Sequence, residues 1–496
     1  MEKRLLSLLA VILLVFVATQ KSEILFGSGR AASTIQNDLN DGASIQHEPD
    51  GYFGESLKEQ PMPFRACAPQ QIVTSPTRSL PPAPNLAFPS PFGSPPRQEY
   101  FVVYATPTSM SEVRALGVTP LGTVGSGDRL VQSSIHGLVV GSIGDASAFG
   151  NLVAYRMTVP GAIPPFQAYI FAKHTGQDGV FGSGDERPYL VAAPFGSLTL
   201  TTGWYRPLDL VPGRIVYFAL DSTTRNVYPV LQGFGANGVP EAIQLPGSDD
   251  SVELVSVDRP LSLARSVNYL QASSSKLVAL QEQQPNSNPP YGSPPYDYVT
   301  HVFAPGANGA YESGQNNPNY DDESWQLGGG GVSEFKPALS YDGAFLITGG
   351  AYPTHPNPMS TITVNLYDLR TVGCDRGRLM FYLQPGIVPL TVPSGGTLPS
   401  LVAVDVDGRY VDPATGQTIS GALVAFMQYS ANGLPVVVID QRNFGVNGIP
   451  LDGDDVLSSY QLTLRTGDYV FEAKLKNGKV VFSGSIQGQV GLYFLC

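Results

Sequence analysis

The sequence has 496 residues, of which 54 are Gly and 43 are Pro, while only 14% carry a charge. Ordinary globular domains carry about 25% charged residues, and so much Gly and Pro indicates many turns and few helices. The net charge of -12 argues against nucleic acid as a partner, because a negative surface repels phosphate backbones. With 42% apolar and 10% aromatic residues, the chain is not composed like a disordered protein.

The N-terminal segment, residues 1–19, has the pattern of an export signal. Lys3 and Arg4 precede the apolar run Leu5–Ala18, which is typical of a secretory signal peptide. The run is shorter than the roughly 18 to 20 residues that span a bilayer as a helix. Because Phe16 is large for a residue just before a cleavage site, an uncleaved N-terminal anchor remains the alternative. The sequence therefore predicts a secreted, periplasmic or cell-surface protein, with membrane contact only through this segment if it stays uncleaved.

Residues 20–99 are predicted to form a disordered tether. Residues 20–60 are polar and lack apolar periodicity, and the following segment Pro61–Arg97 contains eleven prolines. Proline at this density favours an extended, semi-rigid spacer, because it cannot donate hydrogen bonds to a strand ladder. The folded domain is therefore predicted over residues 100–496.

The cysteines are few and odd in number. Cys67, Cys374 and Cys496 allow at most one disulfide and one spare thiol, and their spacing fits no metal motif. Because Cys67 lies in the Pro-rich segment, a disulfide between Cys374 and Cys496 is favoured. The alternative is that both are small buried residues with free thiols.

From residue 100 onward the sequence repeats. Runs rich in β-branched and aromatic residues begin successive units, with starts that step by 62, 62, 68, 78 and 57 residues. These runs are Leu152–Tyr155, Arg214–Phe218, Lys276–Leu280, Ala344–Ile347, Ala422–Phe426 and Lys479–Phe482. Short strands repeated at such a period predict an all-β propeller. The last unit has two strands, and Tyr100–Gly150 is expected to supply the rest of its blade, which gives six blades, with seven as the alternative.

Acidic turns follow the second strand of several units. The segments Gly176–Glu186 and Gly445–Asp455 combine Asp-Gly or Asn-Gly steps with a pair of acidic residues, and Gly235–Asp250 and Gly306–Asp322 are looser copies. Carboxylates gathered at a short turn suit calcium, which takes six to eight oxygen ligands. The candidate ligands are Asp178, Asp185, Glu186, Asn447, Asp452, Asp454 and Asp455.

The calcium hypothesis has a simpler alternative. The spacing does not match the EF-hand loop, and Asp side chains in glycine-rich turns commonly accept hydrogen bonds from backbone N–H groups. We therefore expect at most weak, structural calcium binding, and no cofactor is required.

The repeating pattern resembles a known group of proteins. Strand, Gly-x-Asp/Asn-Gly turn, acidic pair and strand follow one another as in secreted bacterial β-propellers of the TolB-like and WD40-like repeat type. The segment Pro337–Ile347 resembles their Ser-Pro-Asp-Gly blade signature, with Tyr341 at the proline position. The resemblance covers roughly Tyr100–Cys496 and implies a binding platform, a periplasmic scaffold or, in some members, an enzyme. The sialidase Asp-box is not matched, because Gly343 directly follows Asp342.

Signs of catalysis are sparse. The chain has 5 His, no two of them at metal-ligand spacing, and it contains no nucleophile elbow or zinc-protease motif. No catalytic residue is predicted. The sequence favours a non-enzymatic binding or scaffold module with a protein or glycan partner. The alternative is a hydrolase acting on glycans, with a carboxylate pair at the mouth of the propeller channel.

Overall fold

The computed structural model describes most of the chain beyond residue 68. The described residues are 69–74, 85–87, 99–106, 112–125, 129–133, 142–160, 166–175, 181, 184–194, 197–200, 208–255, 261–262, 267–285, 296–312, 321–327, 337–353, 360–371, 380–383, 400–412, 416–431, 433–445, 447, 450 and 454–495. The predicted signal segment and all three cysteines lie outside them, so the signal and the disulfide remain predictions.

The described strands form seven sheets, numbered here in chain order. Sheet 1 contains β2 (Asn85–Ala87), β3 (Tyr100–Thr106), β4 (Glu112–Val118) and β5 (Arg129–Ser133). Sheet 2 contains β6 (Ser142–Phe149), β7 (Leu152–Pro160), β8 (Phe166–His174) and β9 (Arg187–Ala192). Sheet 3 contains β10 (Leu198–Leu200), β11 (Asp209–Val211), β12 (Arg214–Asp221), β13 (Asn226–Gly233), β14 (Ser251–Leu254) and β15 (Leu261–Ser262). Sheet 4 contains β16 (Val267–Ala272), β17 (Val278–Pro285), β18 (Tyr296–Ala304) and β19 (Glu323–Leu327).

The remaining strands complete the series. Sheet 5 contains β20 (Ala338–Leu339), β21 (Phe345–Pro353), β22 (Ser360–Asp368) and β23 (Met380–Leu383). Sheet 6 contains β24 (Ser400–Asp407), β27 (Gly421–Ala431), β28 (Leu434–Phe444) and β29 (Val456–Thr463). Sheet 7 contains β30 (Tyr469–Lys476), β31 (Lys479–Ile486), β32 (Gln489–Leu495) and β1 (Gln70–Thr74). A small hairpin of β25 (Tyr410–Val411) and β26 (Thr418–Ile419) lies between β24 and β27.

All the strand pairings in these sheets are antiparallel, and the burial of each strand follows its place in the sheet. The middle strand β31 is buried along nearly its whole length, because a neighbouring sheet covers each of its faces. The outer strand β29 alternates between exposed and partly buried residues over most of its length, since its outward side chains meet solvent. The continuous apolar runs that marked the repeats lie in strands of this kind, the middle strands of sheets 2 to 7.

The seven sheets close into a ring. Their innermost strands contact one another in the cyclic order β30, β2, β6, β11, β16, β20, β24 and back to β30. Seven hydrophobic clusters fill the gaps between neighbouring sheets, one cluster for each gap. Phe426 of sheet 6 and Phe482 of sheet 7, with ring centroids 5.2 Å apart, exemplify these contacts. The predicted fold class, an all-β propeller, is confirmed, and the described sheets number seven, the alternative left open by the repeats.

The ring closes through an N-terminal strand that the sequence analysis placed in the tether. β1 pairs with β32, with Gln70 opposite Phe494 and Thr74 opposite Gly491. Tyr100–Gly150 does not complete the last blade as expected, because β3, β4 and β5 form sheet 1 with β2. Both β1 and β2 fall within residues 20–99, so the predicted domain boundary at residue 100 is too late. The prolines flank β1 without interrupting it, which leaves its N–H groups free to pair.

Helix is almost absent from the described residues. A 3-10 turn at Leu369–Thr371 is the one helical segment among them. In the same part of the chain, no helix has the length and apolar character needed to span a membrane.

Candidate functional site

The acidic turns all lie on one face of the ring. In an antiparallel sheet, the connection between the first two strands and the connection between the last two strands emerge at the same end. Lys276, between β16 and β17, accordingly donates to the carbonyl oxygen of Gly309, between β18 and β19, over 2.7 Å. We call this side of the ring, with its β8–β9, β13–β14, β18–β19 and β28–β29 connections, the acidic face.

Three of these turns share one arrangement of glycine and carboxylate. The first Asp of each acidic pair lies so close to the first Gly of the turn that a Cβ on that glycine would overlap the carboxylate. The pairs are Gly235 with Asp249, Gly306 with Asp321, and Gly445 with Asp454. The glycine in the repeated pattern is therefore required by close approach of the acidic side chain.

The second Asp of each pair accepts hydrogen bonds from the turn backbone. Asp250 accepts from the N–H of Glu241 at 2.8 Å, and Asp455 accepts from the N–H of Gly445 at 3.2 Å. Asp322 accepts from the N–H groups of Gly306 at 3.3 Å and Glu312 at 2.9 Å. Each of these carboxylates therefore satisfies backbone N–H groups of its own turn.

The predicted calcium ligands are placed as follows. Asp178 and Asp452 lie outside the described residues. Asp185, Asn447 and Asp454 are exposed, whereas Glu186 and Asp455 are partly buried. Glu186 accepts a hydrogen bond from the N–H of Gly184 at 3.2 Å, and Asp455 lies 3.9 Å from Arg442. Their role as metal ligands remains a prediction.

Three carboxylates come close together in the acidic turn between β18 and β19, which the sequence analysis treated as a looser copy of the pattern. Oxygens of Glu312, Asp321 and Asp322 all lie within 4.8 Å of one another. Burial raises the pKa of Asp322, and the charges of Glu312 and Asp321 add to the effect, while hydrogen bonds from backbone N–H groups oppose it. A bound cation would relieve this repulsion, although three carboxylates supply only part of a calcium shell. Sequence spacing did not reveal the group, because eight residues separate Glu312 from the acidic pair.

We expect calcium to raise the melting temperature of a chelator-treated sample. At a free calcium concentration of about 100 times Kd, one site adds about 2.7 kcal/mol to the free energy of unfolding. Asp321→Asn, Asp185→Ala and Asp454→Ala should each remove part of that gain, because each takes a negatively charged carboxylate from one turn. Differential scanning fluorimetry with and without millimolar calcium measures the shift. Identical melts in calcium and in chelator would leave the turns as backbone caps alone.

Polar side chains also join neighbouring sheets around the central channel, which the innermost strands line. In four of the seven gaps, a polar side chain on or beside the innermost strands accepts a hydrogen bond from a backbone N–H of the following sheet. The pairs are Ser147 with Leu210 at 3.0 Å, Asp209 with Ala272 at 3.2 Å, Gln271 with Leu339 at 2.6 Å, and Asp405 with Leu475 at 2.7 Å. Sequence reasoning missed these acceptors, although the first three are spaced by 62 residues, the step of the apolar repeats.

Other side chains reach across the channel. The hydroxyl of Tyr269 on β16 lies 3.5 Å from Glu472 on β30, and these strands belong to sheets that are not neighbours. Tyr269 has a φ of 54° and lies at a register shift between Asn268 and Leu270. A bulge of this kind re-aims a side chain, here into the channel. Phe471, beside Glu472, is 39% exposed.

The channel contains charge of both signs. Lys474 lies 3.8 Å from Asp405. Burial raises the pKa of Asp209 to about 6, against the lowering effects of Lys474 and of hydrogen bonds from Ala272 and Ser147. Burial likewise raises the pKa of Asp405, again opposed by Lys474. Backbone N–H groups of Ala272 and Leu475 donate to the carboxylates of Asp209 and Asp405. The hydrolase alternative, in which a carboxylate pair acts on a glycan, stays a prediction.

No protein-family model and no curated protein sequence matches the chain. Among solved structures, the chain is similar to the crystal structure of the Myceliophteria thermophila Cps50 (Swd1) beta-propeller domain. The two are 10% identical with a TM-score of 0.38, over 80% of this chain and 92% of that one. The assignment of the propeller fold here depends on the ring of seven sheets.

Proposed function

We propose that this chain is an exported propeller of the secreted bacterial TolB-like type, acting as a non-enzymatic binding or scaffold module for a protein or glycan partner. The observation that carries the proposal is how the carboxylates are used. Those of Asp250, Asp322 and Asp455 accept hydrogen bonds from the backbone of their own turns, and those of Asp209 and Asp405 accept hydrogen bonds from the next sheet. A glycosidase instead needs two carboxyl groups that meet the substrate from positions roughly 5 to 10 Å apart.

Apolar side chains on the acidic face support a protein partner. Five of the eight large apolar side chains that are exposed in the described residues lie in connections on this face. They are Leu121, Val124, Ile243, Leu245 and Val411. Apolar groups on the same face as carboxylates suit a partner surface that offers both apolar and basic groups.

Affinity capture with matched surface variants tests the proposal. We expect the double variant Ile243→Asp and Leu245→Asp to lose a partner captured by the wild-type protein, because it places charge in the apolar part of the acidic face. Leu434→Asp is the control, since Leu434 is equally exposed but lies at the β27–β28 turn on the opposite face. Equal capture by all three proteins would contradict a role for the acidic face.

The hydrolase alternative gives a different result. Release of reducing sugar from a glycan panel by the wild-type protein, abolished by Glu472→Gln or Asp405→Asn in a variant that still melts cooperatively, would favour the enzyme over the binding module. We expect no turnover above the background of the variants.

A further inference from the structure

A small polar cavity lies between sheet 6 and sheet 7 on the acidic face. It has a volume of about 50 Å³ and is lined by side chains of both sheets and of the β25–β26 hairpin. The lining includes Tyr410, Asp412, Asn443, Tyr460 and Lys479. This cavity is distinct from the acidic turns and from the central channel.

The Lys479 ammonium is the cationic group of the cavity. Lys479 begins β31, directly after the Asn477-Gly478 turn, and is partly buried. Within the described part of the chain, its ammonium makes no hydrogen bond or ion pair, and Asp412 is its electrostatic neighbour. Burial lowers the pKa of Lys479, and Asp412 opposes that effect only partly. A half-buried ammonium without a bonded partner gains from an anionic ligand.

Neutral hydrogen-bond donors line the same cavity. Tyr410 is buried and Tyr460 is partly buried, and in the described residues neither hydroxyl has a hydrogen-bond partner. The Asn443 Oδ1 accepts from Gln441 at 3.4 Å, which leaves the Asn443 Nδ2 as a further donor. Gly478 keeps the cavity open, because a Cβ at this position would lie 2.7 Å from the Tyr410 hydroxyl oxygen.

The size and charge of the cavity restrict its ligand. A cavity that holds one water has a volume of about 10 to 15 Å³, so a volume of about 50 Å³ admits a group of a few heavy atoms. Asp412 disfavours a second negative charge, which favours a carboxylate over a phosphate dianion. The two tyrosines add apolar ring surface beside their hydroxyls, a combination suited to a hydroxylated ring with C–H faces.

We propose that this cavity binds the carboxylate of an acidic sugar, a uronic acid, with the sugar ring held at its opening. The inference builds on the proposed binding function and names a ligand class for its glycan partner. Lys479 pairs with the carboxylate, the hydroxyls of Tyr410 and Tyr460 donate to the carboxylate or to ring oxygens, and the Asn443 Nδ2 donates from β28.

Titration calorimetry of the full chain with four probes tests the proposal: glucuronate, glucose, acetate and phosphate. We expect glucuronate to bind at least tenfold more tightly than each of the other three. Glucose lacks the carboxylate and acetate lacks the ring, so binding of either as tight as that of glucuronate overturns the proposal. Tighter binding of phosphate, or no heat with any probe, also overturns it.

Variants assign the binding to the cavity. Lys479→Gln should weaken glucuronate binding at least tenfold and Tyr410→Phe severalfold, whereas Asp412→Asn should strengthen it. Lys276→Gln is the matched control, because the Lys276 ammonium is already paired with Glu253 at 2.6 Å, and it should bind like the wild type. Thermal melts confirm that each variant folds, and equal affinity in Lys479→Gln and wild type contradicts the site.

Failure of this inference is distinguishable from failure of the proposed function. The Ile243→Asp and Leu245→Asp variant alters the apolar part of the acidic face and should still bind glucuronate. Loss of partner capture with retained glucuronate binding, or the reverse, separates the two sites.

Discussion

A chain that begins at Ser75 and so lacks β1 is expected to melt at least about 5 °C below the wild-type protein and to self-associate. β1 pairs with four residues of β32, and Ile72 and Val73 pack against the hydrophobic cluster between sheets 7 and 1. Loss of these hydrogen bonds and of this burial costs on the order of 5 kcal/mol. For a ring of this size, that free energy corresponds to a shift of about 5 °C, because the entropy of unfolding grows with chain length.

Self-association follows from the edge that the truncation exposes. With β1 removed, β32 presents unpaired N–H and C=O groups along a largely apolar strand, which is a template for pairing with a second molecule. A chain that begins at Gln60 is the control, because Gln60–Cys496 forms one compact unit and retains β1. Scanning fluorimetry and light scattering measure both effects, and a truncated chain that melts and scatters light like the control would show that β1 does not close the ring.

The fold class could be predicted from the sequence because the middle strands are buried on both faces. Their apolar runs recur at a nearly constant step, and the runs around Val216 and Val424 lie in β12 and β27, where the repeats placed them. β1 and β2 were missed because their short segments lie among prolines, and a count of prolines describes a tether well. Their strand character depends on pairing with sheets 7 and 1, which is a long-range contact without a local signal.

The acidic turns could be predicted only in part. Glycine and paired acids mark where a turn lies, and the structure adds that one carboxylate packs over the glycine while the next caps the backbone. Glu312 lies beside Asp321 and Asp322 although eight residues separate them in the chain, so no local spacing marks the group. The cavity beside Lys479 is assembled from two sheets and a hairpin, so its residues are distant in sequence and share no motif.

The acceptor Asp209 is expected to make the protein more stable at mildly acidic pH than at neutral pH. Burial raises the pKa of Asp209 to about 6 from the unfolded value of 3.8. A carboxyl whose pKa is raised by folding contributes stability that is fully present below the unfolded pKa and is lost as the pH rises through the folded pKa. The contribution of Asp209 is therefore fully present only below the unfolded pKa of 3.8 and is lost as the pH rises through the folded pKa of about 6, with a full amplitude of about 3 kcal/mol.

Replacement of Asp209 by Asn isolates this contribution, because the amide cannot ionise, its oxygen can accept from the N–H of Ala272, and its NH2 group can donate to the Ser147 hydroxyl. We expect the free energy of unfolding of the wild type, relative to Asp209→Asn, to fall by up to about 3 kcal/mol between pH 4 and pH 7 in urea titrations. Asp221→Asn, on the same sheet, is the control of opposite sign. A hydrogen bond from the N–H of Thr223 lowers the pKa of Asp221, so its contribution is present at neutral pH and lost on acidification. Parallel pH profiles for wild type and Asp209→Asn would show that Asp209 carries no net proton linkage to folding, and that its hydrogen bonds to the neighbouring sheets balance the cost of burying its charge.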